Sequence, residues 1–421
     1  MGARQASPNG TAWIHELVQL RGVREALQFF TREKQWITEQ HLELCRVPAP
    51  TFLEHERAQW MAAQFRSYGC RVEIDKSGNV LAWPWAPSCA SMVALTAHLD
   101  TVFAPKTRDE VRVEPGGRLA GPGVSDNGAG LAALLGIARA LTCSSEIEER
   151  QADLLLVANV GEEGEGNLNG MRFLLSRQSP IAGRMAAMLV LDGAGTDHIT
   201  SQALGSRRFE IAISGPGGHS WSDFGTANPV HALARAIALF SDTLVEPPPR
   251  ASYNCGLIEG GASINSIPQS ARAKVDIRSE SETAIEELVR TLSAVVARAV
   301  EVENERASLG KIASKMKEIG SRPAGKLPEG APILSYLRAV DAHLGIRSYV
   351  DCSSTDANIP LSMGIPALSI GAGGQGGGAH TPQEWFQPEG RDLALRRILL
   401  TLCLLLREAP ARAGDGGQTR N

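Results

Sequence analysis

Two imidazoles and five carboxylates stand where their spacing could do chemistry. His98 and Asp100 form His98-Leu99-Asp100. Asp126 closes Gly121-Pro122-Gly123-Val124-Ser125-Asp126. Glu162 and Glu163 lie in Gly161-Glu162-Glu163-Gly164, Asp192 follows an apolar run, and His380 follows the glycine stretch 371–378. Taken singly these are weak: a His-x-Asp triplet occurs by chance, and a Glu pair is usually a solvated face. Their joint placement carries the signal, because nearly every one follows a stretch that reads as a buried strand or opens a helix. Ligands of open α/β sheets bind outside the carboxyl ends of the strands. Carboxylates crowded there would repel one another, and each unpaired buried charge is costly. A divalent cation resolves the conflict. The nitrogen and oxygen donors suit zinc, with cobalt or manganese as alternatives.

Those residues need elements to hold them. Residues 13–70 read as helices, and 71–85 as a hairpin about Lys76-Ser77-Gly78-Asn79. Strands are expected at 91–97, 152–160 and 186–191. The second is almost wholly apolar, as in a sheet covered on both faces. Helices are expected at 127–141 and from 170. The alternation implies an α/β sheet. From about 203 to 319 the pattern becomes β-α-β-β-α-β, a ferredoxin-like split unit. Its longer helix, 284–300, carries Ile285, Leu288, Leu292, Val296 and Ala299 at helical spacing. A helix over 332–344, a strand over 367–370 and a closing helix over 391–407 follow. The organisation expected is a catalytic α/β domain in two parts, 1–202 and 320–421, interrupted by an α+β insert, 203–319.

Composition narrows the class. The 421 residues carry a net charge of −4, which gives no field favouring nucleic acid or an anionic membrane. Seven dispersed Cys without a Cys-x-x-Cys pair argue against a zinc knuckle or a disulfide framework. The first residues lack a basic stretch followed by an apolar run, and the longest greasy run is far too short for a bilayer, so a cytoplasmic protein is expected. The tail 409–421 is expected to be disordered. His15, His41, His55, His231 and His343 read as surface or capping residues, and His198 has no ligand-like surroundings. No Lys-Ser/Thr follows the glycine stretch 371–378, so it reads as a close-approach loop positioning His380 rather than a phosphate loop. Ser353-Ser354-Thr355-Asp356 reads equally as a pocket lining or a plain turn.

In this order the motifs resemble the co-catalytic di-zinc peptidases and amidohydrolases, the family of peptidase T, glutamate carboxypeptidase, aminoacylase and succinyl-diaminopimelate desuccinylase. The resembling stretches are Thr96-Ala97-His98-Leu99-Asp100-Thr101-Val102, the Gly121 to Asp126 run, Gly161-Glu162-Glu163-Gly164 and Gly378-Ala379-His380-Thr381-Pro382-Gln383-Glu384-Trp385. The resemblance implies a zinc-peptidase-like mixed sheet flanked by helices, with the insert as a lid or dimerisation domain. It implies that His98 and Asp192 bind one zinc, Glu163 and His380 the other, and that Asp126 bridges both. Asp100 would hydrogen-bond the His98 ring. Glu162 would be the general base toward a water between the zincs. In the lid, His219 of Gly217-Gly218-His219-Ser220 would stabilise the oxyanion in the partner subunit of a homodimer, and Asn265 and Arg278 would hold a substrate carboxylate. An ion pair with Asp276 or Glu280 is the plainer reading of Arg278.

The function expected is hydrolysis of an amide bond in a small peptide by a peptidase T-like di- or tripeptidase. The run Gly161 to Gly170 leans that way, while the resemblance at Asp192 fits aminopeptidase-like and tripeptidase-like members as well as several deacylases. The alternatives are an N-acyl amino-acid deacylase or carboxypeptidase of the same family, and a catalytically silent metal-binding scaffold. Residues 1–45 have no assignable role from sequence.

Overall fold

The structure, a computed structural model, describes residues 10–147, 150–245 and 247–408. The tail 409–421, expected to lack order, lies outside them, as do the first nine residues. The chain divides into two compact units. One comprises Met1–Gln202 and Lys326–Asn421, the other Ala203–Gly325.

The first unit opens with helices Gly10–Leu17, Arg21–Arg32, Lys34–Cys45 and His55–Ser67. The expected hairpin pairs Arg71–Ile74 with Val80–Trp83. Its turn is held by Asp75, whose Oδ1 accepts the backbone N–H groups of Ser77, Gly78 and Asn79. The sheet continues through Ala152–Asn159, Ser91–His98, Met185–Leu191, Ala367–Ile370 and His198–Ala203. The four strands from Ala152–Asn159 to Ala367–Ile370 run parallel. Every residue of these four strands is buried. Their Leu, Val, Ala and Met content follows from that, since helices Gly128–Thr142 and Arg391–Glu408 pack on the sheet. The sheet is mixed because the hairpin and His198–Ala203 join it antiparallel.

Short strands escape the sequence reading. Tyr349–Ser353 pairs with His198–Ala203, and a second sheet is built from Gln375–Gly377, Trp385–Gln387, Leu119–Ala120 and Arg112–Val113. Elements of two or three residues are too short to show a period. This second sheet changes the picture of the glycine stretch. Gln375–Gly377 and Trp385–Gln387 form antiparallel arms, and His380 sits in the loop between them. Gly376 is bare because a Cβ there would lie 2.1 Å from Ser125 Oγ, beside Asp126.

The second unit is the expected β-α-β-β-α-β. Its antiparallel sheet has the order Ala251–Gly260, Ser270–Ser279, Gly205–Ser214, Ala313–Arg322, covered by helices Pro229–Ser241 and Glu282–Arg306. Phe209, Ile211, Ile213, Ala271, Ala273, Val275 and Ile277 alternate into one core with Leu288, Leu292 and Val296. The last strand runs past 319, because its end, Gly320-Ser321-Arg322, follows a register shift and carries no apolar alternation. No helix among the described residues is long and apolar enough to cross a membrane. All seven cysteines are free thiols, and Cys45, Cys70 and Cys403 are buried.

Candidate active site

Parallel strands deliver the donors to one edge. His98 ends its strand; Glu162 and Glu163 follow Ala152–Asn159; Asp192 follows Met185–Leu191. Asp126 arrives on the loop before helix Gly128–Thr142. Asn127 ties that helix to the Asp192 strand: its amide donates to Leu191 O (2.8 Å), and its Oδ1 accepts from Gly193 and Gly130. The structure brings His98, Asp126 and Asp192 together, and likewise Asp126, Glu163 and His380, with the donor atoms of each set within 4.8 Å of one another. His98, Glu162 and Glu163 form a third such set.

Asp126 stands between the imidazoles. Its Oδ1 lies 3.1 Å from His98 Nε2 and its Oδ2 3.1 Å from His380 Nε2. His380 Nε2 also meets Glu163 Oε1 at 2.9 Å, and His98 Nε2 lies 3.9 Å from Asp192 Oδ1. The Nδ1 of His98 faces the Asp100 carbonyl oxygen at 3.0 Å, which requires a proton on Nδ1 and turns Nε2 toward the carboxylates. A neutral imidazole would then present a lone pair to two carboxylates. The nitrogen must be protonated or share a cation with them. Burial pulls the His98 pKa down, yet hydrogen bonds to Asp100, Asp126 and Asp192 hold it well above its ordinary value. Hydrogen bonding to Asp126 lifts His380 to about 9. Burial pushes Glu163 up to about 7, with His98 pulling it back and Asp126 adding to the rise. These groups fit a divalent metal pair: oxygen and nitrogen donors in two sets that share one carboxylate, Asp126.

Asp100 faces the His98 ring, as expected, and does more besides. The shorter contact to the His98 ring comes from its carbonyl, and its carboxylate lies 3.5 Å from Nδ1. That carboxylate also accepts the backbone N–H groups of Glu162 (3.0 Å) and Glu163 (2.9 Å) and the Thr51 hydroxyl (3.0 Å). It therefore orients the turn carrying both glutamates.

Two supporting residues, Glu384 and His41, were missed, and a third, Asp356, was left open between a pocket lining and a turn. Glu384, four residues past His380, accepts N–H groups from Gly123 (2.8 Å), Ser125 (2.6 Å) and Asp126 (2.7 Å). His41 is no surface residue. It is fully buried, its Nε2–H donates to Val124 O (2.7 Å), and its Nδ1 accepts from Arg391 (2.8 Å). Burial, with Arg391 beside it, keeps its pKa well below the usual value. Helix Lys34–Cys45, without a role from sequence, thus buttresses the Asp126 loop. Asp356 is buried, and its Oδ2 accepts from Asn159 at 2.6 Å. The motif around Glu384 and the Ser353-Ser354-Thr355-Asp356 run were the available signals; His41 had none.

The remaining candidates lie in the second unit. His219 and Asn265 are neighbours there: Gly218–His219 pairs with Ser266–Ile267, and Ser220 N donates to Asn265 O (3.0 Å). His219 Nδ1 accepts the N–H of Trp221 at 3.2 Å, so in the neutral ring Nε2 carries the proton. Arg278 donates to Asp276 at 2.6 Å, the ion pair of its plainer reading, and Arg208 shares that carboxylate.

Comparison with known proteins agrees with this fold. Residues 203–303 match the peptidase dimerisation domain, and residues 80–216 match peptidase family M28. The cytosol non-specific dipeptidase of Escherichia coli is 25% identical over 288 residues, 60% of this chain and 56% of its own. These matches are of the kind that its motifs resemble. Its match spans about half the length of the curated relatives. A tripeptidase from Staphylococcus aureus superposes with TM-score 0.72 at 19% identity, covering 89% of this chain and 99% of that one. A dinuclear metal binding peptidase of the M20 family from Bacillus subtilis gives 0.65 at 16% identity, covering 90% and 99%. Both share the fold.

Proposed function

We propose that the chain is a metal-dependent exopeptidase that cleaves di- or tripeptides. The observation that carries this reading is Asp126, with one oxygen toward each of two imidazoles and Glu162 beside Glu163 in the adjoining turn. His98, Asp126 and Asp192 would hold one ion, and Asp126, Glu163 and His380 the other, zinc being favoured over cobalt or manganese by the donor set. Bound there, the ions would supply Lewis-acid polarisation of the scissile carbonyl and of the attacking water.

The chain's own residues do the rest. Glu162, buried and oriented through its backbone by Asp100, takes the proton of the attacking water and passes it to the leaving amine. His219, a donor at Nε2, stabilises the developing oxyanion across a homodimer built through the second unit. Asn265 and Arg278 anchor the peptide carboxylate, with Asp276 fixing the guanidinium.

Hydrolysis of small peptides, followed with and without a chelator, tests the reading. Activity should vanish on metal removal and return with zinc, cobalt or manganese. Glu162→Gln should lower kcat by about 10²–10⁴-fold with metal content unchanged. Activity indifferent to chelation or to that substitution would sink the proposal. Cleavage of N-acyl amino acids in preference to peptides would move the chain to the deacylase side.

A further inference from the structure

Pro50, Thr51, Phe52 and Leu53 form a tight turn closed by Leu53 N–H to Pro50 O at 2.8 Å. Phe52 occupies its third position at φ 74°, a conformation that suits glycine and strains a bulky side chain. The turn is pinned to the loops of the candidate centre. Thr51 donates to Asp100 Oδ2, the oxygen that also takes Glu163 N–H. The buried Glu54 accepts from Phe52 N–H (3.0 Å) and Gly161 N–H (3.1 Å) through one oxygen. Gly166 lacks a side chain where a Cβ would come within 2.7 Å of the Thr51 methyl.

None of this anchoring buries the ring. Phe52 is 64% exposed and Leu53 68%. A bridge between Pro50 and Thr101 sets the turn alongside the segment after Asp100, where Val102 and Phe103 are 44% and 45% exposed. Four large apolar side chains thus border residues that orient Glu162 and Glu163. Strain retained at an exposed aromatic needs a reason outside core packing.

We propose that Phe52, with Leu53, Val102 and Phe103, is the subsite for a large apolar side chain next to the scissile bond, so that the substrates are peptides with Leu- or Phe-like residues. The proposal rests on the peptidase reading above. The occupant is substrate because the strip is bolted, through Asp100 and Glu54, to the loop bearing the proton carrier.

The test compares kcat/KM of the metal-loaded full chain for Leu-Gly-Gly, Gly-Leu-Gly and Gly-Gly-Gly. One Leu peptide should exceed Gly-Gly-Gly by about tenfold or more. Phe52→Gly, which suits the left-handed backbone, should collapse that ratio without lowering Tm. A fall in Tm with the ratio unchanged would make Phe52 a packing residue and overturn the proposal. So would a loss of dimer with the ratio unchanged, which would assign the strip to a second copy. Equal cleavage of all three peptides by the unaltered chain would overturn the subsite alone. No cleavage of any, with metal bound, would overturn the peptidase reading and the subsite with it.

Discussion

Asp126 is held at its backbone by Glu384, which gathers three N–H groups of the 123–126 loop, while its own carboxylate faces outward to both imidazoles. Removing that acceptor leaves buried N–H groups unpaired and frees the loop to turn the carboxylate away. Glu384→Ala should weaken metal binding by about 10–100-fold, the usual consequence of losing a group that orients a ligand. Competition of the metal-free protein with a chelating dye measures this, and unchanged affinity would refute it. His98, Asp126, Glu162, Glu163 and Asp192 were legible because each follows a strand-like run or precedes a helix, and His380 because it follows the glycine stretch 371–378. Glu384 and His41 were not, since a glutamate in a loop and a histidine on a helix acquire meaning only from what packs against them. The His41 ring is buried on a helix that gives no sequence sign of facing the Asp126 loop.

Elements are joined by a few buried polar contacts. The closing helix Arg391–Glu408 meets Pro332–Leu344 through Arg397, which is wholly buried and bidentate to Asp341 at 2.5 and 2.7 Å. Losing one partner of such a pair strands a buried charge. Asp341→Ala should cost about 3–5 kcal/mol of stability, read by chemical denaturation, whereas replacing both residues by apolar ones should recover much of it. A loss below about 1 kcal/mol, typical of exposed pairs, would contradict the burial. At this scale the long apolar strands and amphipathic helices were readable from periodicity. The short strands that place His380 were not, because they are made by pairing across the chain rather than by local preference.

At the scale of the molecule the chain is one α/β unit with a second, α+β unit inserted between its halves. If His219 serves the other copy of a dimer, activity should depend on assembly. Glu162→Gln and His219→Ala chains, each inactive alone, should regain activity when co-expressed, because one site of the mixed dimer keeps both residues. Absence of complementation, with mixed dimers demonstrated by light scattering and mass spectrometry, would mean that His219 does not serve the partner's site.

By itself the sequence determined the α/β class, the β-α-β-β-α-β insert and a short inventory of acids and imidazoles, because strand and helix periods are local and chemistry-bearing residues follow strand ends. Only the tertiary structure decided that Asp126 faces both His98 and His380, that the Asp100 side chain serves the Glu162–Glu163 turn, and that helix Lys34–Cys45 supports the centre. Those outcomes depend on contacts between residues tens to hundreds of positions apart, where burial and hydrogen-bond geometry, not local propensity, set what each side chain does.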